Sequence, residues 1–204
     1  MLVMLEYGQM DKVRYKLLIA IKIAFVVYAI LVGVRCFIDP MYNKYGGFLA
    51  GLVLPFLPEF VSKIFKCKFA FRLQLIYYIF LFVALDMGIC MDLYKTVPYF
   101  DKVVHFFSGV FTALVGHYAL VYFKVNKSSN LFKAMFIMFF SMAIAVLWEF
   151  FEFGCDKFLG QSMQQLVSVG VDDTMFDLLC ATVGAGLGGY LLTVPNLVNY
   201  LEEL

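Results

Sequence analysis

Asp101 and His105 open a long apolar stretch of the chain, and their i, i+4 spacing puts both side chains on one face of a helix. Glu149 and Glu152, at i, i+3, close a second such stretch. Asp173 and Asp177, again at i, i+4 and with Asp172 beside them, open a third. Imidazole and carboxylate donors supplied by several helices are the kind of set that holds zinc, manganese or iron in helical bundles. A metal there would offset the mutual repulsion of the acids and could activate water. On this reading Asp101, His105, Glu149, Glu152, Asp173 and Asp177 are candidate catalytic residues. His105, Glu149, Glu152 and Asp177 are the candidate ligands of a divalent metal. Lys102 and Arg35, with Lys157, are candidates to hold an anionic group, and Trp148 and Gln161 are further candidate substrate contacts.

Simpler roles compete for each of these positions. Asp101 and Asp173 stand where helices begin, and Asp is a favoured N-cap. Glu149, Glu152 and Asp156 could be the wet end of a span. Trp148 suits an interface anchor. His105 and Asp177 are harder to explain this way, because each lies a full turn inside its helix, where an ionisable group is costly in a membrane. His117 falls on another face of the same helix as His105 and reads as a packing histidine. Asp86 either joins the acidic group or pairs with Lys95. Glu59, beside Pro58, belongs to the opposite end.

The elements that position these groups follow from composition. The chain has 204 residues, 63% of them hydrophobic and 15% charged, with a net charge of +1 and mean hydropathy of +0.87. Soluble domains are about 45–50% apolar and about 25% charged. This balance excludes a soluble globular protein, a disordered protein and a nucleic-acid binder, and it predicts an all-α membrane bundle forming a single membrane domain over residues 1–204. A span needs about 20 mostly apolar residues. Six windows qualify: Leu17–Phe37, Gly47–Phe65, Leu73–Met91, Val103–Phe123, Leu131–Phe151 and Thr174–Val194. Pro55 and Pro58 should kink or break the second, while Pro98 and Pro195 flank the fourth and sixth.

Lys and Arg set the orientation. Lys12, Arg14, Lys16, Lys63, Lys66, Lys68, Arg72, Lys124, Lys127 and Lys133 fall on one side. Arg35, Lys44, Lys95, Lys102 and Lys157 fall on the other, and Lys22 lies within the first span, able to snorkel. The richer side is cytoplasmic by the positive-inside rule, which places both termini in the cytoplasm and the acidic tips outside. Residues 1–16 form a cytoplasmic or interfacial segment, without the features of a secretory signal. Residues 154–173 form an extracytoplasmic loop in which 161–169 could make a short interfacial helix, with Gly160 and Gly170 as turns. The five cysteines show no metal or disulfide spacing. Small residues continue both acidic stripes, through Ser108, Thr112 and Gly116 on one helix and Cys180, Gly184 and Gly188 on the other, so these faces should meet. Ala145 and Ser141 extend the Glu149 side likewise. Phe106, Val110 and Val103 should take the opposite face of the fourth span. The fourth and sixth spans align weakly as a pseudo-repeat.

In chain order the polar motifs are Asp101-Lys-Val-Val-His105-Phe-Phe-Ser-Gly109, Trp148-Glu-Phe-Phe-Glu152, Leu159-Gly-Gln161 and Gly170-Val-Asp-Asp-Thr-Met-Phe-Asp177. The set resembles the YjdF-like family of inner-membrane proteins, over roughly residues 70–195. The opening Asp-Lys-x-x-His-Phe also looks like the VanZ-like membrane proteins, which are associated with glycopeptide-antibiotic resistance. Where the YjdF-like pattern usually has Trp in its final motif, this chain has Asp172 and Phe176, so its local acidity is higher. The resemblance implies a polytopic protein of a prokaryotic cytoplasmic or inner membrane and supplies no reaction.

Three functions compete on these residues. One is a metal-dependent hydrolase or transferase acting on a membrane lipid or a lipid-linked or small anionic substrate. The second is transport of protons or cations, or transport coupled to them. The third is a non-catalytic factor that binds lipid or a partner protein. GxGxxG, Walker A, HExxH and GxSxG motifs are absent. Gly184-Ala-Gly-Leu-Gly-Gly189 reads as a close-packing helix face.

Overall fold

The computed structural model describes residues 12–39, 42, 44–125, 128–160, 162–164 and 171–192, and every regular element among them is helical. In chain order these are α1 (Lys12–Ile38), α2 (Tyr45–Phe65), α3 (Phe71–Cys90), the short α4 (Leu93–Thr96), α5 (Phe100–Tyr122), α6 (Asn130–Leu159) and α7 (Val171–Leu191). The six long helices are each long and apolar enough to cross a membrane. This is the all-α bundle expected from composition.

The helix ends differ from the hydropathy windows for local reasons. α6 runs eight residues past Phe151 and stops at Gly160, which takes the left-handed conformation that a helix C-terminus favours in glycine (φ 61°). Residues 154–159 and 171–173 are therefore helical, and the loop expected over 154–173 is correspondingly shorter. Asp101 is not an N-cap: α5 starts after Tyr99, and its first turn has no side-chain cap. At the other end of the bundle Ser129 does cap α6, accepting from the Phe132 amide at 3.2 Å. Residues 12–16 belong to α1. The expectations for residues 1–11, Lys127, Gln161, Gly170, Pro195 and the acidic C-terminal tail lie outside the described residues, as does most of the helix expected over 161–169.

Pro55 and Pro58 break α2 into two α-helical halves joined by a 3-10 turn, Leu54–Phe56. Pro58 has no amide to give the Leu54 carbonyl, which an unbroken helix would require. Leu57 supplies a 3-10 bond instead, and the Tyr77 hydroxyl donates to the same carbonyl at 2.6 Å. Tyr78 donates to the Pro55 carbonyl at 3.0 Å. Two tyrosines of α3 thus satisfy backbone groups that lipid could not. The second half of α3, Phe82–Cys90, winds as a π-helix.

α5 and α7 pack with their backbones close together. A Cβ at Gly184 would strike the Phe106 carbonyl, and one at Gly109 would strike the Ala181 carbonyl. At Gly188 it would come within 2.7 Å of the Ala113 side chain. Phe106 and Val110 thus lie on the α7-facing side of α5, contrary to the expectation, because Gly109 rather than Ser108 makes the close approach; Val103 does face outward. Gly116 packs on α6, against Phe140 and Ile137. α6 buries one stripe, Ile137, Ser141, Ala145, Glu149, Glu152 and Cys155, at steps of three and four, while Phe139, Leu147, Phe150 and Phe153 face outward.

The helices alternate in direction. Tyr122 at the end of α5 donates to the Phe65 carbonyl at the end of α2, and Lys22 pairs with Glu59 rather than snorkelling freely. At the opposite end Lys44 pairs with Asp92, and Gly46 lies against Cys155 and Met163. That second end carries the acidic tips.

Candidate functional site

The glycine-mediated contact between α5 and α7 brings their first turns together, and the side chains there interlock. Lys102 Nζ lies 2.9 Å from Asp101 Oδ2, 2.6 Å from Asp173 Oδ1 and 2.9 Å from Asp177 Oδ1. His105 Nε2 lies 3.5 Å from Asp101 Oδ1 and 3.8 Å from Asp177 Oδ1. The ligand atoms of Asp101, His105 and Asp177 all fall within 4.8 Å of one another, a spacing that could hold a metal ion. His105, Asp173 and Asp177 are buried, the last to 1% exposure.

From α6, Glu149 and Glu152 point into the same end of the bundle, both buried. Glu152 accepts from the Trp148 indole at 2.8 Å and lies near enough to Asp101 and Asp177 for their charges to act on it. Gln164 reaches in from the α6–α7 connection. Its amide nitrogen stands 3.4 Å from the Glu149 carbonyl, 3.5 Å from Glu149 Oε2 and 3.3 Å from Thr174 Oγ1. Asp156 fixes that connection by accepting from the Met163 and Gln164 amides at 2.6 and 3.0 Å. Tyr94 of α4 completes the surround. Its ring rests on Gly88, where a Cβ would collide with it, and meets Phe100 edge-on at 5.3 Å. Burial, then the charges of Asp101, Glu152 and Asp177, push the Tyr94 hydroxyl well above the usual phenol range. It stays protonated and can donate.

The balance is strongly negative: Asp101, Asp173, Asp177, Glu149 and Glu152 face one lysine. Several acidic oxygens are also left over. Asp173 Oδ2, Asp177 Oδ1 and Glu149 Oε1 are buried without a hydrogen bond. Asp177 Oδ1 does have the Lys102 ammonium beside it at 2.9 Å, so the oxygens with no partner of either kind are Asp173 Oδ2 and Glu149 Oε1. Unpartnered buried carboxylate oxygens are costly and call for a further proton or cation.

Not all the residues singled out from sequence arrive here. Among the described residues the compact donor set is Asp101, His105 and Asp177, with Asp101 in the place expected for Glu149 and Glu152. α5 and α7 touch backbone to backbone, so their acids meet first. Lys102 is occupied by three carboxylates and is not a free anion clamp. Arg35 is exposed and stacks over the Tyr42 ring at 4.0 Å, away from the site. Trp148 is half-buried and donates its indole N–H to Glu152. Asp172 and Lys157 are exposed. Asp86 neither joins the group nor pairs with Lys95, which stands 3.7 Å from Asp92 instead. His117 lies half-buried on α5, beside Tyr118. Gln161 is outside the described residues. Sequence reasoning missed Gln164 and Tyr94. Gln164 sat in a segment already suspected of covering the acids, whereas Tyr94 gave no periodic signal.

The family described as predicted membrane protein (DUF2238) matches residues 17–195, so the chain belongs to that family. It is also similar to an uncharacterized protein of Thermotoga maritima, 28% identical over 137 residues. That alignment covers 63% of this chain and 66% of the relative's length, just under two thirds. No solved structure matches.

Proposed function

We propose that this member of the DUF2238 family is a divalent-metal-dependent membrane hydrolase or transferase, acting on a lipid or lipid-linked anionic substrate at the extracytoplasmic face. The observation that carries the reading is the convergence of Asp101, His105 and Asp177 donor atoms within 4.8 Å, beside buried acidic oxygens that lack partners. Three protein ligands of mixed imidazole and carboxylate type leave coordination positions open, as a catalytic site requires, and suit zinc, manganese or iron. Such an ion supplies Lewis acidity and a water of lowered pKa. It also turns a site that repels anions into one that can receive a phosphate.

The remaining roles fall to the chain's own side chains. Lys102 holds Asp101, Asp173 and Asp177 in register and can swing one of its contacts to a substrate oxygen. Glu149 Oε1 is the free acceptor for a proton from an attacking water or hydroxyl, with Gln164 steadying its other oxygen. Trp148 fixes Glu152. Tyr94 offers a neutral donor to a leaving oxygen. The proposed orientation, with the acidic end outside a prokaryotic inner membrane and both termini in the cytoplasm, is supported by the basic character of the opposite end, which holds Lys63, Lys66, Lys68, Arg72, Lys124 and Lys133.

A second reading, cation or proton translocation, is favoured by one feature. Ser141 is 1% exposed, its hydroxyl is unpartnered, and it stands two turns further into the membrane than Glu149 on the same buried stripe. Elemental analysis of detergent-purified protein separates the readings. Stoichiometric zinc, manganese or iron in the wild type, lost in His105→Ala, supports the enzyme. Protein that is metal-free yet fully complements a deletion strain overturns it. Ion flux into proteoliposomes without lipid turnover would favour translocation.

A further inference from the structure

We infer that Lys102 makes anion binding wait for the metal. A divalent ion at Asp101, His105 and Asp177 takes one carboxylate contact from Lys102, and the ammonium so released binds an oxygen of a phosphate-type anion beside the ion. The inference rests on the proposal that those three residues hold a metal, and it adds an order of binding and a substrate class.

The oxygens decide which contact is lost. His105 Nε2 faces one oxygen of each aspartate, Asp101 Oδ1 at 3.5 Å and Asp177 Oδ1 at 3.8 Å. Lys102 reaches Asp101 through the other oxygen, Oδ2, at 2.9 Å, so a metal and the ammonium can share that carboxylate. At Asp177 both converge on Oδ1, which lies 2.9 Å from Lys102 Nζ. Asp177 is therefore where the two cations compete. Asp173 lies outside the compact donor set and keeps hold of the ammonium, through Oδ1 at 2.6 Å and its carbonyl at 3.5 Å. An ammonium has three N–H donors. With Asp177 given over to the ion, Lys102 stays tethered to Asp101 and Asp173 and has one donor unused.

Charge and access point the same way. Without metal, the single charge of Lys102 faces three aspartates and the group repels anions. The two charges of the ion, added to that of Lys102, match the three carboxylates. A substrate oxygen then lies between two cations, where electrostatic attraction is strongest. Lys102 is also the member a substrate can reach, with its side chain 22% exposed against 14%, 4% and 1% for Asp101, Asp173 and Asp177. Because coupling between two ligands is reciprocal, the anion must tighten the metal by the factor by which the metal tightens the anion.

The test titrates manganese into full-length protein in detergent, following the free ion by electron paramagnetic resonance, with zinc as competitor. Titrations are run alone, with methylphosphonate and with dioctanoyl phosphatidic acid. In the wild type methylphosphonate should tighten manganese about tenfold, inside the ~5–150-fold range usual for coupled sites. Lys102→Met should bind manganese at least as tightly as the wild type, since the competitor at Asp177 is gone, and the effect of the anion should vanish. A larger effect from phosphatidic acid identifies a lipid headgroup as the substrate's anion; an effect no larger identifies a free phosphate. An anion effect that persists in Lys102→Met overturns the inference, because the ion alone then holds the anion. So does a wild type that binds manganese with no response to either anion, which leaves the metal proposal standing. A wild type that takes up neither manganese nor zinc removes the metal proposal and this inference with it. If Lys102→Met does not fold, calorimetry on the wild type decides: methylphosphonate bound equally well with and without manganese overturns the order of binding.

Discussion

Replacing Lys102 by Met removes the one cation that touches Asp101, Asp173 and Asp177 while keeping a side chain of similar length. Lys102 is only 22% exposed and its partners 14%, 4% and 1%, so solvent screens the contacts little. Breaking a buried pair by deleting one partner costs about 3–5 kcal/mol, because the other charge stays behind uncompensated. At about 2–4 °C per kcal/mol for a chain of this size, Lys102→Met should lower the melting temperature in detergent by roughly 6 to 20 °C. The three carboxylates then need another cation. Manganese or zinc should therefore stabilise Lys102→Met more than it stabilises the wild type. Adding Asp173→Asn to Lys102→Met should recover part of the loss, as residues in one network are non-additive. The assay is thermal unfolding followed by size-exclusion fluorescence, with and without metal. A Lys102→Met protein as stable as the wild type and indifferent to metal would show that the carboxylates are not held together by charge, and the site geometry would lose its physical basis.

Gly184→Ala should cost about 1–3 kcal/mol by overpacking, since its methyl meets the Phe106 carbonyl. Gly186→Ala, on the same helix but with nothing within 4 Å, should be neutral or stabilising by up to about 1 kcal/mol; the two melting temperatures read the difference. Tyr77→Phe should destabilise by about 0.5–1.5 kcal/mol by stripping the Leu54 carbonyl of its side-chain donor, again read by thermal unfolding. Tyr94→Phe should leave the spectrophotometric tyrosine titration near pH ~10 unchanged, because the native hydroxyl ionises well above that value. With its folded pKa raised, Tyr94 contributes stability that is complete below the ordinary phenol pKa and lost as pH climbs from there toward the folded value. The wild type should therefore lose stability relative to Tyr94→Phe as pH climbs above the ordinary phenol pKa, with the difference between them constant below it.

The fold was legible because lipid leaves few choices. A 20-residue apolar window must be a helix, and two prolines inside one must break it. The acidic tips were legible for the same reason, since charge in such a chain is conspicuous. What pattern could not supply was depth of contact. Sequence placed Gly184 and Gly188 on an inward stripe, yet it did not show that Gly109, off the expected face, would be the partner of Ala181. That offset rotates α5 and draws Lys102 across to Asp173, turning a residue that looked free for a phosphate into a bridge. The same limit explains Tyr94 and Gln164. Each sits on a short segment whose direction is fixed only by tertiary contacts, Gly88 and Phe100 for one and Asp156 for the other. The overrun of α6 to Leu159 had a local sign, Gly160, which a hydropathy window ending at Phe151 does not weigh.

Five buried or half-buried carboxylates repel one another, and left to themselves the tips of α5, α6 and α7 would splay. They do not, because the next turns of α5 and α7 are locked through Gly109, Gly184 and Gly188, where the backbones have no slack. Packing thus imposes an electrostatic cost at the end of the bundle that the interhelical contacts must offset, and Lys102 relieves only part of it, as the unpartnered oxygens of Asp173 and Glu149 show. A glue of polar contacts would be built with matched donors and acceptors, since interhelical hydrogen bonds in membranes average only about 0.6 kcal/mol and gain nothing from surplus charge. An excess of acceptors held rigidly in one place has a different logic. On the proposed metal-site reading the fold bears the repulsion in advance, so that a cation arriving at the site would find its ligands already gathered and would give back free energy the empty arrangement lacks. By this reasoning loosening the lock should weaken cation binding without touching a ligand. In Gly184→Ala the affinity for manganese should fall while Asp101, His105 and Asp177 all remain, and affinity unchanged by that substitution would contradict the argument.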